Sequence, residues 1–111
     1  MQKKIILIDL DGVLNQYEKF DADVIPPVKD GAAEFLECLN NEETDLILFT
    51  SRNLLLASKW LIENGLERYF KDVTNVKIPA FLHIDDRCIC FSGNYEKTIQ
   101  EIKKFRVYWK E

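Results

Sequence analysis

Apolar residues along this chain follow two rhythms. The first is a set of short unbroken runs: Ile5 to Ile8 (IILI), then Asp45 to Phe49 (DLILF), then Phe81 to Ile84 (FLHI). Runs this short are too brief to span a membrane, and they suit strands buried on both faces of a parallel sheet. The second rhythm is helical. Val28, Ala32, Phe35, Leu36 and Leu39 recur at three- and four-residue spacing, which predicts an amphipathic helix from about Val28 to Asn40. Leu54, Ala57 and Leu61, flanked by Leu56 and Trp60, predict a second helix, with Ser51 or Asn53 as N-cap and Asn64-Gly65 as its stop. Tyr95, Ile99, Ile102 and Phe105 mark a closing helix. Strand and helix in alternation predict an α/β fold with a mainly parallel sheet.

Between these elements the pattern is weaker. Asn15 to Pro27 is a long polar connection carrying Tyr17 and Phe20, and connections of this length are either lids over a site or surface excursions. Leu66 to Asn75 reads as a packed turn or a brief strand. Pro79 keeps Ile78 out of a helix, which leaves Lys77 in a loop. Cys88 to Phe91 fits one more short strand, and the tail Val107 to Glu111 (VYWKE) fits a frayed helix end or an edge strand.

Composition narrows the class. At 111 residues the chain makes one domain, and 31% charged with 47% apolar residues is ordinary for a soluble globular protein. A formal charge of -4 gives no general attraction to nucleic acid or anionic lipid. The apolar run after Lys3 and Lys4 reaches Asp9 too soon to be a secretory core. Cys38, Cys88 and Cys90 are odd in number and lack paired metal-ligand spacing. They read as reduced small hydrophobes, and a cytoplasmic location follows as the expectation.

The chemistry gathers at strand ends. Asp9 and Asp11 stand where the first run stops, followed by Gly12, and on a strand residues i and i+2 face the same way. Two carboxylates that close stay ionised when a hard divalent cation lies between them, and magnesium prefers all-oxygen sites. The plainer reading is a polar turn, since Asp-Gly is common turn chemistry. Thr50, Ser51 and Arg52 end the second run, and Asp85 and Asp86 end the third with Lys77 upstream. Right-handed crossovers bring the carboxyl ends of parallel strands to one sheet edge, so these groups can meet.

Taken together, these segments resemble the haloacid dehalogenase (HAD) superfamily. Asp9-Leu10-Asp11-Gly12-Val13-Leu14 matches its first motif, the strand ending at Thr50 its second, Lys77 its third, and Asp85-Asp86 its fourth, in the family's order. The resemblance implies a three-layer Rossmann-like domain with helices on both faces of the sheet. It implies an enzyme: a magnesium-dependent phosphatase working through an aspartyl-phosphate intermediate. By the same resemblance Asp9 would be the nucleophile and Asp11 the general acid and base. Thr50 and Lys77 would also be catalytic and, with Ser51, would bind the phosphoryl group; Arg52 would either reach the substrate or pair with an acid. Mg2+ would be held by Asp9, Asp11 (through its backbone carbonyl) and Asp85, with Asp86 as outer-shell support or a further ligand.

Larger members carry a cap domain after the first motif or between the second and third. Here both gaps are short, so the chain looks capless. An open site takes a large phosphorylated partner or borrows a lid from another copy of the chain, and residues 15–27 would be the specificity element in cis. A nucleotide or nucleic-acid end phosphate is the alternative substrate, with the acidic balance against long nucleic acid. A phospho-acceptor signalling module shares the residue types but orders them differently.

Overall fold

β1 (Lys4–Asp9) is the strand on which the other elements assemble. In the structure, a computed structural model that describes residues 3–110, it lies inside a four-stranded sheet of order β3-β2-β1-β4. Met1, Gln2 and Glu111 lie outside the described residues. β2 (Thr44–Phe49), β3 (Phe70–Thr74) and β4 (Leu82–Ile84) all run parallel to their neighbours. The fold is α/β and Rossmann-like, the class the alternation of runs and stripes predicts.

Strand parity divides the sheet's faces. Ile6 and Ile8 of β1 stand beside Leu46 and Leu48 of β2. They form one core with Ala32 and Leu36 of α1 (Ala32–Leu39) and Ala57, Trp60 and Leu61 of α2 (Leu54–Glu63). Leu7 and Ile47 face the other way and are also buried, which accounts for the unbroken runs. α3 (Tyr95–Lys104) forms as its periodicity predicts, yet none of its residues is buried, and Tyr95, Ile99 and Ile102 stay exposed.

Several expectations are corrected. α1 starts at Ala32 rather than Val28, because Gly31 sits at φ 89°, outside the helical region, and Val28 instead bridges to Asn15. Leu66 to Asn75, by contrast, holds both forms expected of it: a 3-10 turn at Glu67–Tyr69, with Tyr69 packed in the core, and then β3. Cys88 to Phe91 is irregular rather than a strand, as β4 ends at Ile84 and Asp85-Asp86 turns the chain away. The tail through Lys110 is neither helix nor strand but an irregular segment with Val107 buried and a turn at Tyr108 and Trp109. All three cysteines are free and exposed rather than packed as small hydrophobes. No helix of the described residues is long and apolar enough to cross a membrane.

Candidate active site at the carboxyl edge

The sheet order creates a switch point. From β1 the chain steps outward through β2 to β3, then returns to place β4 on the opposite side of β1. The crevice beyond the carboxyl ends of β1 and β4 is where open α/β sheets bind ligands. Parallel register aligns those ends, with Ile8 opposite Ile84 and Asp9 opposite Phe49. The next residues along, Asp9 and Asp85, therefore arrive side by side. Asp9, Asp85 and Asp86 each offer a carboxylate oxygen within 4.8 Å of the other two, and all three are half-buried.

Uncompensated charge marks the cluster. The Asp9 carboxyl, ordinarily at 3.8, is pushed up to about 8 by burial first, then by the carboxylates of Asp85 and Asp86, with a smaller push from Asp11. Three hard oxygen donors this close together, with the Asp9 carboxylate penalised by its burial and neighbours, suit a divalent cation, whose charge would reverse that penalty. Magnesium fits this donor set. Asp85 is oriented locally, its Oδ1 accepting from the Arg87 backbone N–H at 2.9 Å.

Asp11 takes another direction. β1 ends at Asp9 and the backbone turns at Leu10, so the i, i+2 alignment expected of a continuing strand is lost. Leu14 N–H donates to the Leu10 carbonyl at 3.0 Å, closing the turn. The Asp11 carboxylate accepts from Arg52 Nε at 2.8 Å through Oδ2 and from Asn15 Nδ2 at 2.9 Å through Oδ1. Asn15, fully buried, also accepts the Gly12 N–H at 3.0 Å and so staples the turn.

Arg52 is the buried cation of the site, with its side chain 0% exposed. Its Nη1 donates to the Asp21 carbonyl at 2.7 Å, and its Cζ lies 4.9 Å from the centre of the Phe20 ring. Its Nη2 is buried with no hydrogen-bond partner. Thr50 is buried, and its Oγ1 accepts the Arg52 backbone N–H at 3.2 Å. Ser51 is exposed, and Asn53 rather than Ser51 caps α2, accepting from Leu56 N at 3.0 Å. Lys77 is exposed on the connection between β3 and β4. Ion pairs among the described residues join Lys3 and Lys71 to Asp45 and Arg52 to Asp11, and none includes Lys77. His83, half-buried, meets Phe49 edge to face at 6.4 Å.

Residues 15–27 are tied to Arg52 and α2. Besides the Arg52 contacts, Trp60 Nε1 donates to the Pro26 carbonyl at 3.1 Å, tying the loop to α2. The tail arrives from the other side. Tyr108 donates its hydroxyl to the Gly12 carbonyl, and Trp109 donates its indole N–H to Asp86 Oδ2. Sequence reasoning missed Asn15, Tyr108 and Trp109. The signal was a pair of bulky aromatics with polar handles in the tail, since Tyr and Trp that pack against the protein usually find a partner for that handle. A cavity of about 370 Å³ adjoins the cluster, walled by Asp85, Asp86, Lys29, Phe35 and Tyr108.

Comparison with known proteins adds the fold. No protein-family profile matches the chain, and no curated protein matches it. A solved structure of a conserved protein from Bacteroides thetaiotaomicron is similar at 25% identity, with a TM-score of 0.62 over 93% of this chain and 92% of that one.

Proposed function

We propose that the protein is a magnesium-dependent phosphomonoesterase of the capless haloacid dehalogenase kind. The observation that carries this reading is the meeting of Asp9, Asp85 and Asp86 oxygens within 4.8 Å at the switch point of the sheet. Magnesium would be held by these three carboxylates and, when bound, would supply charge neutralisation for the phosphoryl oxygens. Asp9, as a carboxylate, would attack phosphorus as the P–O bond to the leaving alcohol breaks, and water would then displace Asp9 from phosphorus, dividing one hard displacement into two easier ones. Thr50 and the α2 amino terminus bind the phosphoryl group.

Arg52 is the cation this fold supplies to the anion. A buried guanidinium N–H without an acceptor is costly, and a phosphoryl oxygen would satisfy it. Both oxygens of Asp11 accept hydrogen bonds in this arrangement, from Arg52 and Asn15. For Asp11 to protonate the leaving group, Arg52 would have to release its carboxylate. Lys77 would neutralise charge from the β3–β4 connection. The adjoining cavity, about 370 Å³, favours the leaving group of a small phosphomonoester over a long nucleic acid.

Hydrolysis of an aryl phosphate by the purified chain, with and without magnesium, tests the reading. Activity that requires the cation and falls about a thousandfold or more in Asp9→Asn supports it. Full turnover by Asp9→Asn would refute the nucleophile assignment.

A further inference from the structure

Within the carboxylate cluster the three members are held differently. Asp85 is oriented by its own turn, through the Arg87 backbone N–H. Asp86 takes its donor from far along the chain: the indole N–H of Trp109 reaches its Oδ2. That ring is itself fixed on two sides. Tyr17 of the 15–27 loop meets it edge to face at 4.9 Å, and the Arg87 guanidinium carbon lies 5.1 Å from its centre. Gly12 opens the path, because a Cβ there would collide with the Asp86 carboxylate and press on the indole nitrogen.

We infer that Trp109 is a positioning residue for Asp86, so that the C-terminal tail sets how tightly the cluster holds a divalent cation. The inference rests on the metal-site reading above. An indole N–H only donates, so it fixes the Asp86 carboxylate through Oδ2 without competing for a cation. Donors that orient metal-binding carboxylates typically change affinity by about 10–100-fold when removed. The tail segment carrying Trp109 is anchored by buried Val107 and by the Tyr108 hydroxyl on the Gly12 carbonyl, so the indole is presented by a fixed support.

Two measurements on the full chain test this. The first is calorimetric titration of Mg2+ into wild type and Trp109→Phe, alongside their melting temperatures in EDTA. The phenyl ring keeps the contact with Tyr17 but lacks the donor, so the expected result is Mg2+ binding weakened about tenfold with the cation-free melting temperature nearly unchanged. Equal Mg2+ affinity in the two proteins overturns the inference, whatever happens to stability. The second serves if Trp109→Phe does not fold: Mn2+ quenching of fluorescence in Trp60→Phe, where Trp109 is the remaining tryptophan. Quenching that saturates with Mn2+ and is reversed by excess Mg2+ supports contact between indole and cation site, and its absence overturns it. Wild-type protein that binds neither cation overturns the metal-site reading and this inference together; wild type that binds while Trp109→Phe binds equally well overturns only the latter.

Discussion

Asp9 is the residue at which folding and chemistry conflict. In the folded chain its carboxyl titrates near 8 instead of 3.8, so the native state binds this proton more tightly than the unfolded state does. The stabilisation from that proton is complete below about pH 4 and is lost as pH rises through about 8. Without divalent cation, the wild type should therefore lose melting temperature across that window relative to Asp9→Asn, which has no proton to release there. Parallel melting curves for the two proteins in EDTA, scanned from acid to alkaline buffer, would contradict the assignment. Gly12 is the other residue with little freedom. At φ +86° it holds a conformation that costs other residues about 1–2 kcal/mol, and its missing Cβ leaves room for Asp86. Gly12→Ala should destabilise the fold by at least that amount in a denaturant titration and weaken Mg2+ binding as well.

At the scale of elements, the decisive pairing is between the long loop and the start of α2. Arg52 lies between β2 and α2, and its guanidinium holds both Asp11 and the Asp21 carbonyl, so one side chain ties the 15–27 loop to the turn after β1. Arg52→Met keeps much of the aliphatic stem while removing every donor. Backbone amides around Asp21 to Asp23 should then exchange faster with deuterium, and KM for an aryl phosphate should rise more than kcat falls. Unchanged exchange in that segment would show that the loop is held by Trp60 and its own packing. The α2 cap is a simpler case: Asn53→Ala removes the acceptor for Leu56 N–H and should cost about 1 kcal/mol by chemical denaturation.

At the scale of the molecule, cation binding and folding are one equilibrium, because the ligand atoms come from segments far apart in the chain. A cation that binds the native state alone stabilises it by RT ln(1 + [L]/Kd), about 2.7 kcal/mol at a hundredfold excess over Kd. Magnesium should therefore raise the melting temperature of the wild type, and Asp85→Ala should abolish that rise while leaving a folded protein. An equal rise in both would remove Asp85 from the ligand set.

Much of this was legible from one-dimensional pattern. Unbroken runs at Ile5 to Ile8 and Asp45 to Phe49 are sufficient for parallel buried strands, since burial on two faces leaves no polar position to alternate. Carboxylates placed directly after such runs must lie at one sheet edge, because parallel strands share a direction, so the candidacy of Asp9, Asp85 and Asp86 was in the sequence. What the sequence left open is where the chain goes once a strand stops. There the nearest partner decides, and partners are set by contacts distant in sequence: Arg52 draws Asp11 out of the cluster, Gly31 delays α1, and β4 ends too early for Cys88 to Phe91 to pair. Trp109 is the extreme case. No local periodicity marks it, and only the closing of the tail over Gly12 brings its N–H to Asp86. Sequence determined the frame and the carboxylates at its edge; tertiary structure decided which of them face one another, because side-chain direction in irregular segments is a property of the whole fold.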